Sequence, residues 1–257
     1  MKQGINKKNN TESGFTFVEM IVVISIFAIM GSIALFKFSE FNKRATLDNL
    51  AQNVALKIEE AKKSAISGVN NVTFATGIAP AYGMYFSTST SSSTNKKLIY
   101  FADTPVAGGT EGDKIYQTTG GTSTLPCGTS YGAECLSVTS ITGGEYISKI
   151  CYPTGTSTYS CPSSATSAQI VFKRPFPDAT MSVCTNPSSC IGYNPLGSAW
   201  ATGSTAAINT QSLLIEMTSG LDPTLKQTII ATGLGQVRVF NGSATNACLS
   251  LGATTCP

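Results

Sequence analysis

The eight cysteines are the side chains with the most chemistry to offer. They are Cys127, Cys135, Cys151, Cys161, Cys184, Cys190, Cys248 and Cys256, all after residue 126. They form four close couples, with seven, nine, five and seven residues between partners. None has the Cys-x-x-Cys spacing of a zinc knuckle or a redox motif. Eight cysteines allow 105 connectivities, and spacing alone does not select one. Closing a short loop costs the least entropy, so nearest-neighbour disulfides are expected. Persistent disulfides require an oxidising compartment. The chain has no histidine. That excludes Ser-His-Asp and Cys-His catalysis, histidine-ligated metals and a histidine pH switch. The candidate acids Asp103, Glu111, Asp113, Glu134, Glu145, Asp178, Glu216 and Asp222 are scattered, without the paired context of a carboxylate dyad. Glu111-Gly112-Asp113 is a single acidic turn, short of the six or more oxygens that calcium takes. The sequence therefore predicts no catalytic residue, no metal site and no cofactor.

One carboxylate stands apart. Between Phe15 and Phe36 the only ionisable residue is Glu19. A helix over those positions is roughly 33 Å long, enough to span a hydrocarbon core of about 30 Å. A carboxylate in such a helix is costly and normally finds a partner. The preceding residues carry Lys2, Lys7 and Lys8 against Glu12. A secretory signal peptide would have a shorter apolar core closed by a small-x-small cleavage site, and neither is present. The processing-type junction lies before the apolar run, at Gly14–Phe15, so cutting there leaves the helix on the product. Basic residues are balanced on the two sides of the span (Lys37, Lys43 and Arg44 follow it), so the positive-inside rule gives no orientation. The cysteines place the larger portion outside the cytoplasm and the basic leader inside.

The run Ser13-Gly14-Phe15-Thr16-Phe17-Val18-Glu19-Met20, followed by continuous apolar sequence, resembles the prepilin signature of type IV pilins and type II secretion pseudopilins. Gly14, Phe15, Thr16 and Glu19 match that pattern; Phe17 and Met20 stand where the family has leucines. Glu12 and Ser13 stand where members carry a basic residue near the cut. The resemblance implies cleavage after Gly14 and N-methylation of Phe15 by a membrane-embedded prepilin peptidase/methyltransferase. A Phe15 ammonium four residues away could pair with Glu19 within one chain or in a neighbouring subunit; the resemblance implies the second, with Glu19 setting the axial register of assembly. It further implies partners: other pilin or pseudopilin subunits, an inner-membrane assembly platform and membrane lipid.

The elements that carry these residues follow from periodicity. Leu47, Leu50, Ala51, Val54, Ile58, Ala61 and Ala65 trace one helical face, with Asp48, Lys57, Glu59, Glu60, Lys62 and Lys63 off it. Gly68 is a natural stop. One helix over 15–67, roughly 80 Å long, is expected, apolar in its first half and amphipathic in its second. Gly31 and Ser32 mark a soft point, since glycine lowers helix propensity. Strands are predicted at 72–76, 82–87, 97–102, 145–151, 168–173, 180–184, 211–218, 226–232 and 235–240, the last two as a hairpin. Segments 103–144 and 185–210 read as long loops braced by disulfides, and the Ser/Thr tract at 87–94 as a flexible tip. The expected fold is α+β: a long N-terminal helix whose amphipathic half packs on an antiparallel β-sheet head. Its organisation is a leader at 1–14, an apolar assembly segment at 15–36, an amphipathic segment at 37–67 and a β-rich head at 68–257.

The head also resembles, more diffusely, the H-type minor pseudopilins and related minor pilins. The resemblance rests on Leu47–Ser67, Tyr82–Phe86, Ile170–Phe172 and Thr232–Val239. The Cys248–Cys256 couple is similar to the C-terminal disulfide loop of many type IV pilins. After residue 14 there are 14 basic and 13 acidic side chains, and no basic run with interleaved aromatics, so nucleic acid is not implied. Lys173, Arg174, Lys226 and Arg238 would form a basic patch only on neighbouring strands. Trp200, with Tyr193 and Leu196, sits in a loop-like stretch that suits ligand contact or loop pinning. A monomeric, membrane-anchored binding or adhesion module is the competing class. It requires neither processing at Gly14 nor Glu19. The favoured reading is a bacterial inner-membrane precursor, single-pass, that passes into a pilus or pseudopilus filament.

Overall fold

The computed structural model describes residues 14–68, 80–103, 114–116, 127, 131, 134–154, 158–163, 166–173, 178–186, 189–193 and 212–256. The chain divides into two compact units, Met1–Asn42 and Lys43–Pro257. Helix α1 runs Phe17–Ser67 and contributes to both. It passes through Gly31 and Ser32 without a break, and the Ser32 hydroxyl donates to the Ala28 carbonyl at 2.8 Å. It ends where expected: Gly68 takes φ +63°, the left-handed conformation that glycine adopts most cheaply after a helix.

Among the described residues of the second unit, eleven strands form two antiparallel sheets. The strands are β1 (Ala81–Ser87), β2 (Lys97–Asp103), β3 (Cys135–Ser140), β4 (Tyr146–Pro153), β5 (Tyr159–Ser160), β6 (Ser167–Phe172), β7 (Ala179–Asn186), β8 (Ser189–Tyr193), β9 (Ser212–Thr218), β10 (Lys226–Thr232) and β11 (Val237–Asn241). One sheet has the order β3-β2-β1-β6-β7-β8, the other β11-β10-β9-β4-β5. Helix α2 (Ala244–Ser250) closes the chain, with the Ser243 hydroxyl accepting from the Asn246 N–H as its cap.

Alternation along the strands builds three apolar layers. Leu47, Ala51, Val54, Ile58, Ala61 and Ala65 of α1 are buried against Tyr82, Met84 and Phe86 of β1, Ile170 of β6, and Ile215 and Ile229 of the second sheet. The opposite face of the first sheet packs Phe101 and Val171 on Tyr116 and the Cys127–Cys135 pair. The opposite face of the second packs Leu214 and Ile230 on α2 and two further disulfides. β6 and β9 are thus buried on both faces, which is why they read as near-continuous apolar runs. Gly83 is required by packing: a Cβ there would lie 2.6 Å from the Phe101 ring, its cross-strand partner.

Several expectations are corrected. There are two sheets where one was expected. β3 and β8 lie inside segments read as loops. Both are edge strands, and in β3 exposed Ser and Thr dilute the apolar pattern. The Ser/Thr tract contains an element that its composition did not predict. Ser91–Lys96 forms a 3-10 turn, and Ser87, Ser89 and Thr94 hydroxyls satisfy its ends. α2 was missed because seven residues carry too little periodicity to see. The 72–76 segment lies outside the described residues, whereas β10 and β11 form the expected hairpin.

Candidate processing and assembly segment

The motif residues sit at the start of α1, and the structure gives two of them a local task. The first helical residue is Phe17, two later than expected, so Phe15 precedes the helix. Thr16 is the residue that turns the chain into it. Its Oγ1 accepts from the Glu19 N–H at 3.2 Å, and its carbonyl accepts the first intrahelical bond, from the Met20 N–H. Thr16-Phe17-Val18-Glu19 therefore has the spacing of a capping box, with Glu19 in the first turn where a negative charge favours the helix dipole. That role was legible in the sequence from the Thr-x-x-Glu spacing and was not drawn from it.

Gly14 has no such task. A Cβ built on it meets no atom within 4 Å, and its φ is ordinary. The fold does not require glycine there, so any requirement comes from another molecule. Phe15 is 81% exposed, and Phe17, Ile24, Phe27 and Ile29 beyond it are exposed as well. The most apolar window of α1 has a mean hydropathy of 2.4 and none of it is buried, so by length and composition this helix can cross a membrane. Its serines are satisfied within it: the Ser25 hydroxyl donates to the Ile21 carbonyl at 2.7 Å, and about two turns later Ser32 donates to Ala28 in the same way.

The cysteines pair as four neighbouring couples: Cys127–Cys135, Cys151–Cys161, Cys184–Cys190 and Cys248–Cys256. No free cysteine remains. Cys184 and Cys190 are direct cross-strand partners in the β7–β8 hairpin. The 151–161 and 248–256 loops touch, through the Thr158–Thr255 bridge and the Tyr159 N–H on the Thr255 carbonyl.

Among the described residues, the remaining candidates are held apart in separate elements. Asp103 ends β2 and accepts from the Lys114 N–H at 3.1 Å. Glu216, in β9, is buried and fully occupied: Ala244 N–H at 2.9 Å, Ser148 hydroxyl at 2.9 Å and Lys226 Nζ at 3.1 Å. Burial alone would push its carboxyl up, but those three donors more than offset it and hold it below the ordinary carboxylate value. Ser148 reaches it because the β4–β9 register shifts between Ile147 and Lys149, re-aiming that side chain. Lys226 is thereby committed to Glu216, and Lys173 follows β6 in the other sheet, so these residues make no basic patch with Arg238. Arg174, Glu111, Asp113, Leu196 and Trp200 lie outside the described residues. Among the described residues no three His, Cys, Asp or Glu side chains are placed to hold a metal ion. A groove of about 570 Å³ opens between α1 and the β3 edge, lined by Asn49, Asn53, Leu56, Lys57 and Thr139 among others.

Residues 9–35 match the prokaryotic N-terminal methylation motif. No curated protein and no solved structure matches the chain. The match supports a precursor of the type IV pilin or pseudopilin kind, and with it a structural rather than a catalytic role. It implies processing by a prepilin peptidase and assembly with other pilin-type subunits. The exposed apolar helix is consistent with membrane anchoring.

Proposed function

We propose that this chain is the precursor of a structural subunit, a minor pilin or pseudopilin, of a type IV pilus or type II secretion pseudopilus. The peptidase cuts after Gly14 and methylates the Phe15 amine. The apolar part of α1 holds the subunit in the inner membrane and then packs among its counterparts in the filament. Glu19 sets the register there, and the disulfide-braced head faces outward. The observation that carries the reading is the motif at 9–35 on a helix whose apolar surface the chain itself leaves uncovered. Exposed apolar area of that extent is stable only against lipid or protein.

Intact mass and the N-terminal peptide of the protein, isolated from cells with an active prepilin peptidase, test it. A chain beginning at N-methyl-Phe15 is expected. A chain still beginning at Met1 would leave the membrane-anchored binding module as the better reading. Glu19→Ala should remain membrane-inserted yet lose filament incorporation, measured by fractionating sheared filaments; undiminished incorporation removes the register role.

A further inference from the structure

Strand β10 runs alongside α1 in the same sense. Near its start the Gln227 Nε2 donates to Asp48 Oδ1, and just past its end the Gly235 carbonyl accepts from Lys62 Nζ at 2.7 Å. The β9–β10 connection, residues 219–225, precedes β10 and so lies at the end of the head where α1 enters it. Asp222 agrees with that placement. Its carboxyl is held below the ordinary value by the Thr224 hydroxyl and N–H first, and then by the charges of Lys43 and Arg44. The β3–β4 connection lies alongside, since a Cβ on Gly220 would stand 2.2 Å from the Gly144 carbonyl oxygen.

The turn is closed by its own hydrogen bonds. The Ser219 N–H donates to the Leu225 carbonyl at 3.2 Å and the Leu225 N–H to the Asp222 carbonyl at 3.0 Å. Asp222 Oδ1 accepts from the Thr224 hydroxyl at 2.6 Å and from its N–H at 3.1 Å. Leu225 packs inward on the core. Leu221 points away from it: at 67% it is the most exposed large apolar side chain among the described residues of the second unit. Gly220, Asp222 and Pro223 are ordinary turn residues, and Leu221 is not. A lone exposed leucine is common on protein surfaces, so its position has to carry the argument. The apolar run ends at Phe36 and the second unit begins at Lys43. Those seven residues are about 10 Å of helix rise, against a headgroup layer of roughly 5–8 Å on each side of the hydrocarbon. A bilayer that holds the apolar run therefore has its interfacial layer within reach of this end of the head. Leu234 is 63% exposed too, but it sits at the other end of β10, beside the Lys62 contact.

We propose that the β9–β10 turn is a lipid-contact surface, with Leu221 inserted into the interfacial layer of the bilayer that anchors α1. The proposal rests on the reading of α1 as a membrane anchor. Anchoring keeps the turn at a high effective concentration at the bilayer, so a contact too weak to recruit a free protein is populated. The turn is already formed, so docking orders little further chain. Asp222 stands against Lys43 and Arg44, which leaves apolar insertion, not headgroup charge, as the driving force. Extraction into a filament would have to lift the turn away, so docking favours the membrane-resident subunit.

The test compares Leu221→Trp with Leu234→Trp, each in a Trp200→Phe background that removes the single native tryptophan. The full chain is reconstituted in phosphatidylcholine vesicles containing lipid brominated on the acyl chain near the headgroup, a contact quencher of tryptophan fluorescence. Both variants should melt as the wild type does, since neither leucine is packed. Leu221→Trp should be quenched at least about twofold and shifted to the blue, as expected of an indole at the interface, and Leu234→Trp should be neither. Raising NaCl from about 0.1 to 1 M should leave the quenching unchanged, because salt screens contacts between charges only. Quenching lost in salt would overturn the apolar contact. A chain that resists alkaline carbonate extraction, yet shows Leu221→Trp no more quenched than Leu234→Trp, would overturn the docking alone. A chain washed from the vesicles by carbonate would remove the anchor reading and the docking with it.

Discussion

In the first half of α1 the large apolar side chains, Phe17, Ile24, Phe27 and Ile29 among them, are exposed, while in the second half Leu47, Val54 and Ile58 are fully buried. The contrast extends to the glycines. Gly14 and Gly31 meet nothing, whereas Gly83 and Gly220 sit where any Cβ would collide. Sequence in the second unit is therefore constrained by the fold, and sequence in the first by whatever covers it. Changes in the two regions should separate: one set alters processing and assembly without touching the melting temperature, the other does the reverse.

Gly14→Ala gives the sharpest break. We expect processing to be lost, read by intact mass, with the melting of the head unchanged; cleavage at the wild-type rate would mean that the peptidase does not read this residue. Ile58→Ala, in the same helix but buried, should cost about 2–5 kcal/mol by denaturant unfolding and leave cleavage intact. Replacing Cys184 and Cys190 together by serine should cost about 2 kcal/mol, the entropy of a short closed loop. Non-reducing peptide mapping should show the other three couples unaltered. Glu216→Gln should cost about 1–2 kcal/mol by leaving Lys226 and the α2 cap weakly matched. Because the folded carboxyl is held below its ordinary value of 4.5, its contribution is complete above that pH and is lost as pH falls through the lower folded value. The variant should accordingly narrow its deficit to the wild type in acid; a deficit constant from pH 7 to pH 3 would contradict the linkage.

The legible parts of this fold were those where one physical signal dominated. Seven residues from Leu47 to Ala65 announced a helical face, and each proved buried or half-buried. β1, β2, β6, β9 and β10 were visible because both faces bury apolar side chains. β3 and β8 were hidden because edge pairing rests on backbone bonds and disulfides that leave no apolar trace. The division into two sheets was hidden because strand order is a long-range property. In the candidate segment, Gly14, Phe15 and Glu19 stood out by type and spacing, while the capping role of Thr16 needed the helix start to be placed within two residues. Glu145 was visible as an acid at the head of a predicted strand, but nothing in the sequence marked it as buried.

The locality of the four disulfides bears on how fast the head is made. Partners are separated by only 6 to 10 positions. Loops of that size close in about 10–100 ns, far sooner than distant thiols meet. Each thiol therefore meets its own partner at a far higher effective concentration than any distant thiol. Native pairing becomes the kinetic outcome as well as the final one, and a reduced chain should regain it in a simple glutathione buffer without an isomerase.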